Sequence, residues 1–125
     1  MAALTSFLGE KLLGEHGKSS HETTTLDNVP VIAHYFSAHW CPPCKTFTGK
    51  LKKFYNEINA DSDSKQLEIV WISGDEEEEE YDDYFEEMPW LAMPFEPEEE
   101  REDVSEKFNI SSIPCLLYTS DAADE

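Results

Sequence analysis

Between Val29 and Met88 the chain changes its hydrophobic rhythm in a fixed alternation, and this alternation limits the folds open to it more than any other feature. "VPVIAHYFSA" (29–38) is a short, mostly apolar run rich in β-branched and aromatic residues, the pattern of a strand covered on both faces. Phe47, Leu51, Phe54, Tyr55 and Ile58 then recur at helical spacing, with Lys50, Lys52 and Lys53 turned mostly elsewhere. "LEIVWISGD" (67–75) is a second buried strand, and Tyr81, Tyr84, Phe85 and Met88 give a second helix that Pro89 ends. Strand, helix, strand, helix predicts a parallel β-α-β unit and an α/β fold.

The flanks are less regular. Thr5 or Ser6 is placed to cap a short helix carrying Leu8, Leu12 and Leu13 on one face, with Gly14 to end it, and "GKSSHETTTLDN" reads as loop or weak edge strand. "PWLAMPFEPEEERED" reads as loop, Val104 and Phe108 mark a short helix, and "NISSIPCLLYTS" is a turn entering an apolar, strand-like run. Low complexity is confined to the acidic runs Asp75 to Glu80 and Glu96 to Glu100.

At 125 residues the chain has the length of one small domain, and 39% hydrophobic residues are enough to build its core despite the high charge. Its 28 acidic against 9 basic side chains leave a formal charge of −19, which excludes nucleic acid and anionic membranes as expected partners and favours basic or neutral proteins. No apolar run approaches the length of a membrane span, and Glu10 and Lys11 fall where a signal peptide keeps an apolar stretch. Three cysteines leave one without an internal partner, which suits a reducing compartment, so the expected location is cytoplasmic or nuclear.

The chemistry is concentrated in "YFSAHWCPPCKTF" (35–47), where Cys41 and Cys44 stand two residues apart. A metal site needs two further ligands at matching spacing, and Cys115 with the scattered His16, His21, His34 and His39 forms no such pattern. A structural disulfide over so short a span would close almost no loop. A redox pair needs a first thiol that ionises easily and a second held ready to attack the mixed disulfide. The strand-to-helix junction supplies both: Cys41 falls at a helix N-terminus, where free N–H groups and the positive dipole end stabilise a thiolate, and Cys44 falls inside the first turn. Pro42 and Pro43 fit that turn because their missing N–H groups would have no helical partner there, and they stiffen the separation of the thiols. His34 reads as a core or strand-edge residue, His39 as an exposed neighbour of the pair, and Glu76 to Glu80 as a solvated helix start rather than a calcium loop.

"YFSAHWCPPC", the "FY" of the following helix, "MPWLAMPF" and "FNISSIP" together resemble the thioredoxin superfamily, within it the tryparedoxin and nucleoredoxin branch, over about Thr5 to Pro114. The resemblance implies a thioredoxin-like fold of central sheet and flanking helices, with Cys41 as nucleophile and Cys44 as resolving thiol. It implies that Ile113 and a cis Pro114 form a loop facing the dithiol, where the residue before the proline offers backbone hydrogen bonds to a substrate chain. Trp40 would flank the nucleophile and, with Pro42 and Pro43, shape the docking surface. Implied partners are disulfide-bearing proteins such as peroxiredoxin-type peroxidases, with a low-molecular-weight thiol or a reductase as electron donor; no metal or other cofactor is implied, and a monomer is expected. Where ordinary thioredoxins carry a buried carboxylate six positions before the first cysteine, this chain has Tyr35, so proton handling for Cys44 falls to water or to an acid such as Asp75 or Glu76.

Family members continue past the cis-proline into further strands and a closing helix, whereas "CLLYTSDAADE" (115–125) resembles the conceptual translation of a transposase-based sequencing adaptor. The expectation is therefore a thioredoxin-like domain over 1–114, lacking the last strand and closing helix, followed by a non-native tail at 115–125 to whose Cys115 no role is given. Two functions remain in view. One is a protein-disulfide reductase acting by dithiol exchange; the other is a redox-sensitive binding module of nucleoredoxin type without turnover.

Overall fold

In the computed structural model, which describes residues 11–14, 19–22, 29, 31–60, 66–96, 98–110 and 112–120, the alternation folds as its periodicity implies. The strands are β1 (Lys11–Gly14), β2 (Ser19–Glu22), β3 (Val31–Ser37), β4 (Leu67–Ser73), β5 (Leu91–Ala92) and β6 (Cys115–Ser120). The helices are α1 (Pro42–Asn59), α2 (Glu78–Phe85) and α3 (Glu98–Lys107). One mixed sheet runs β2-β1-β5-β4-β3-β6. β3 and β4 pair in parallel from Val31 opposite Leu67 to Ser37 opposite Ser73, and β5 adds in parallel to β4.

The two faces of this sheet are sorted by the two-residue period of the strands. Ala33, Tyr35, Leu67, Ile69 and Trp71 join Leu51 and Tyr55 of α1 and Tyr81, Tyr84 and Phe85 of α2 in one cluster. Ile32, Phe36, Val70 and Ile72 join Val104 of α3 and the partly buried Phe108 in the other. Helices therefore cover both faces, which is why the central strands are buried along almost their whole length and their few polar residues, His34, Ser37, Glu68 and Ser73, are buried too. Asn59 ties the end of α1 to the start of β4: its carboxamide oxygen accepts from the Gln66 and Leu67 amides at 2.9 and 3.2 Å, and its nitrogen donates to the Leu67 carbonyl at 3.0 Å. Asn109, at φ 56°, ends the turn after α3, where the amide of Ile110 bonds back to the Ser105 carbonyl at 3.0 Å and turns the chain toward Pro114.

Several expectations change. Lys11–Gly14, assigned to a helix by its leucine spacing, is a strand that pairs with Ser19–Glu22 and sets Leu13 against Ala92; the rest of that expected helix lies outside the described residues. The exposed edge of β5 offers unpaired backbone groups, and satisfying them outweighs a helical pattern built on three leucines. The segment expected as loop after Pro89 supplies β5 and the start of α3. α2 ends at Phe85 rather than running to Pro89, and Met88 is buried from the turns that follow. On α1 the buried stripe is Cys44, Thr48, Leu51 and Tyr55, which leaves Phe54 and Ile58 44% and 40% exposed at its margin. In keeping with its strand-like pattern, Cys115–Ser120 forms β6, antiparallel to β3 from Val31 opposite Ser120 to Phe36 opposite Cys115. An apolar run leaving a proline beside the open edge of a central strand is drawn into the ladder by the same backbone demand.

His34 faces the second cluster fully buried, its ring 5.0 Å from that of Phe108. Desolvation lowers its pKa from 6.5 to about 4, against a smaller opposing effect from the Leu117 backbone. Between those values the unfolded chain binds a proton that the folded chain refuses, so this contribution to stability is complete above pH 6.5 and is lost as pH falls toward 4. In paired urea titrations at pH 7 and pH 4, a His34→Phe variant should lose about 3 kcal/mol less stability than the parent chain over that interval.

Candidate active site

The cysteine pair sits where β3 hands over to α1. After Ser37 the chain makes one tight turn, in which the Cys41 amide bonds the Ala38 carbonyl at 3.2 Å, and the helix begins. Cys41 is the N-cap residue in extended backbone (φ −105°, ψ 104°), followed by Pro42 and Pro43 in the first turn. Its Sγ accepts the amide of Cys44 at 3.3 Å, a bond that an N-cap oxygen makes in most helices. Cys41 and Cys44 are joined as a disulfide with Cα atoms 5.2 Å apart, well inside the range such a bond spans. Only a sliver of Cys41, 6%, meets solvent, while Cys44 is sealed; an accessible first sulfur and a shielded second one were expected, and the first is nearly covered as well.

The surface around the pair is apolar and open. Trp40 is 57% exposed, its indole N–H donating to the Gly74 carbonyl at 3.3 Å, and Pro42 and Pro43 are exposed beside it. The Ile113–Pro114 bond is cis, and the register of β6 on β3 brings this proline to the end of β3 from which the Cys41 turn departs. Ile113 is half-buried, packed against the second core cluster. Among the described residues, no group of three or more His, Cys, Asp or Glu side chains is arranged to hold a metal ion, and no helix is long and apolar enough to cross a membrane.

Beneath Cys44, Tyr35 occupies the place from which the resemblance led us to expect no carboxylate. Its hydroxyl donates to the Cys44 carbonyl at 3.1 Å and lies 2.7 Å from Thr48 Oγ1, which lies 2.6 Å from the Tyr84 hydroxyl. Since Tyr35 has one proton and the carbonyl only accepts, the direction follows: Tyr84 donates to Thr48, Thr48 to Tyr35, and Tyr35 to Cys44. Desolvation pushes the Tyr35 phenol far above its ordinary value, so it remains a donor throughout the range in which proteins work. The Tyr84 ring then meets His39, half-buried, edge to face at 5.8 Å. Trp71 fixes the same turn from below, its indole N–H donating to Ser37 Oγ at 2.9 Å while its ring stacks on Tyr81 at 4.9 Å.

Of the two acids considered for proton handling, Glu76 is exposed and Asp75 is buried, with Oδ1 accepting the His39 amide at 2.8 Å and Oδ2 accepting the Ser73 hydroxyl at 2.8 Å. Thr48, Ser73 and Arg101 were not singled out from the sequence. Only Thr48 carried a signal, as a hydroxyl on the buried stripe of an amphipathic helix one turn after Cys44.

The site thus joins a cysteine pair capping a helix with a cis-proline at the same end of a parallel β-α-β unit. The chain belongs to the thioredoxin-like oxidoreductase family, in its tryparedoxin and nucleoredoxin branch: the family model described as thioredoxin-like matches residues 29–118. Probable nucleoredoxin 1 of Arabidopsis thaliana is 48% identical over 90 residues, which are 72% of this chain and 15% of that protein. Native tryparedoxin I from Crithidia fasciculata superposes with a TM-score of 0.84 at 40% identity, over 97% of this chain and 82% of that one. Tryparedoxin II complexed with glutathionylspermidine gives a TM-score of 0.81 at 32% identity, over 96% and 81%.

The hydroxyl chain is a testable unit. Thr48→Val leaves the buried Tyr84 hydroxyl without its acceptor and the Tyr35 oxygen without its donor, and should cost about 1–3 kcal/mol in urea unfolding. Combining it with Tyr35→Phe should cost less than the sum of the two single changes, because both remove the same chain.

Proposed function

We propose that the chain is a protein-disulfide reductase. The observation that carries this reading is the Cys41–Cys44 bond at a helix N-terminus, with its first sulfur accepting a backbone N–H and its second sealed beneath. In the reduced state the same N–H and the dipole of α1 favour a thiolate on Cys41. That thiolate attacks one sulfur of a partner disulfide; the partner's other sulfur leaves as thiolate and takes a proton from solvent. Cys44 gives up its proton and attacks Cys41 Sγ, which breaks the mixed disulfide and releases the second partner sulfur, protonated in turn. Two electrons pass to the partner, and Cys41–Cys44 is left oxidised. Trp40, Pro42, Pro43, Ile113 and Pro114 form the surface on which the partner chain lies.

The electron donor we assign is a low-molecular-weight thiol or a reductase, a reading supported by the binding of glutathionylspermidine to the related tryparedoxin II. Peroxiredoxin-type peroxidases are the proposed clients, met in the cytoplasm or nucleus by a monomer. In dithiol-driven insulin reduction the chain should turn over many times per molecule and Cys41→Ser should abolish turnover. Cys44→Ser should accumulate a mixed disulfide visible on non-reducing gels. A stoichiometric, redox-dependent complex without turnover would replace this reading with that of a binding module.

A further inference from the structure

The loop after β4 is held from both sides. On one side it grips the turn that leads to the nucleophile. The Gly74 amide donates to the Ser37 carbonyl at 3.0 Å, the Gly74 carbonyl accepts the Trp40 indole, and Asp75 Oδ1 accepts the His39 amide. On the other side stands Arg101 of α3, 4% exposed, a charge that would be costly to bury without partners. Its Nη1 donates to the carbonyls of Ser73 at 2.7 Å and Asp75 at 3.3 Å, and its Nε to that of Phe95 at 2.8 Å, with the Phe95 ring 4.4 Å away. The guanidinium thus clamps the backbone of 73–75 from the layer opposite α1. Asp75 is oriented within that loop by Ser73, whose Oγ donates to Oδ2 at 2.8 Å and accepts the Asp75 amide at 2.9 Å.

We propose that Arg101 and Asp75 are positioning residues for the nucleophile: through the His39 amide they hold the Ser37–Trp40 turn so that Cys41 Sγ stays over the Cys44 N–H. The inference rests on the reading of Cys41 as the attacking thiolate. Cys41 caps α1 only in extended backbone, and three residues separate it from Ser37, so freedom at His39 passes directly to the cap. Both Asp75 oxygens already accept a hydrogen bond, which suits the carboxylate to fixing a loop rather than to exchanging a proton with Cys44. Released from the cap, a Cys41 thiolate loses an N–H and its place at the positive end of the dipole.

The test is the pH dependence of iodoacetamide alkylation of reduced Cys41, in a Cys115→Ser background with the adduct located by mass spectrometry. Asp75→Ala and Arg101→Met should each slow alkylation at pH 7 about fivefold, the worth of one helix-terminus interaction, and move the profile to higher pH so that the deficit disappears in alkaline solution. Asp75→Asn, which keeps an oxygen for the His39 amide, should restore the parent profile. A folded Asp75→Ala protein with the parent profile overturns the proposal, as does an Asp75→Asn protein that behaves like Asp75→Ala. If Arg101→Met fails to fold, the Asp75 pair still decides, because it leaves the carbonyl contacts of Arg101 in place. Alkylation needs no client: shifted profiles in a chain that never reduces insulin would uphold this inference while refuting the reductase reading.

Discussion

The parallel ladder between β3 and β4 is the constraint on which the rest depends. Seven consecutive residue pairs lock Ser37 beside Ser73, so both strands end at the same level and the loops that leave them must meet. A parallel sheet gathers its functional loops at the carboxyl ends of its strands, and here one loop carries the cysteines while the other carries the groups that hold them. Had the strands paired one residue out of step, Tyr35 would have faced the second cluster and the floor under Cys44 would be gone. The apolar alternation that sorts the two clusters therefore also specifies the site.

That floor shows how a buried polar demand can be met without charge. A carboxylate beneath Cys44 would titrate, and its cost would change with pH. Tyr84, Thr48 and Tyr35 instead form a directed chain of three hydroxyls ending on a backbone carbonyl, each proton committed and the phenol of Tyr35 held neutral by burial. Such a chain is rigid because every member is satisfied, and it would be expensive to leave half made. It anchors the first turn of α1 through the Cys44 carbonyl, independently of the sulfur.

What was legible in the sequence was local. The strand over Val31–Ser37, the helix opening at Pro42, the strand over Leu67–Ser73 and the cap position of Cys41 all follow from periodicity and from where prolines are tolerated. What was not legible depends on partners distant in the chain. Thr48 gains its meaning only when Tyr35 and Tyr84 arrive from two other elements, 13 and 36 residues away. Arg101 sits in the run "EEERED", where a solvated cation among glutamates is the natural reading, and only the fold shows that its guanidinium turns inward onto three carbonyls. Lys11–Gly14 was misread for the same reason: its strand character is conferred by the edge of β5 and by Ser19–Glu22, and no pattern within four residues announces it. The cis state of Pro114 was reached through the resemblance, since periodicity and composition say nothing about it.

Electrostatically the site is set against its own molecule. A formal charge of −19, with exposed glutamates directly after Gly74 and Asp75, disfavours a further negative charge on Cys41. The helix N-terminus favours it. The two differ in range: the dipole and the capping N–H act at contact, in a nearly dry corner, whereas the glutamates act through solvent, where physiological salt screens charges beyond about 8 Å. At Cys41 the local interaction therefore outweighs the diffuse field, which acts instead on what approaches, favouring basic surfaces over acidic ones. The turn before that cap is itself held, by the Gly74 amide on the Ser37 carbonyl and by the Asp75 carboxylate on the His39 amide.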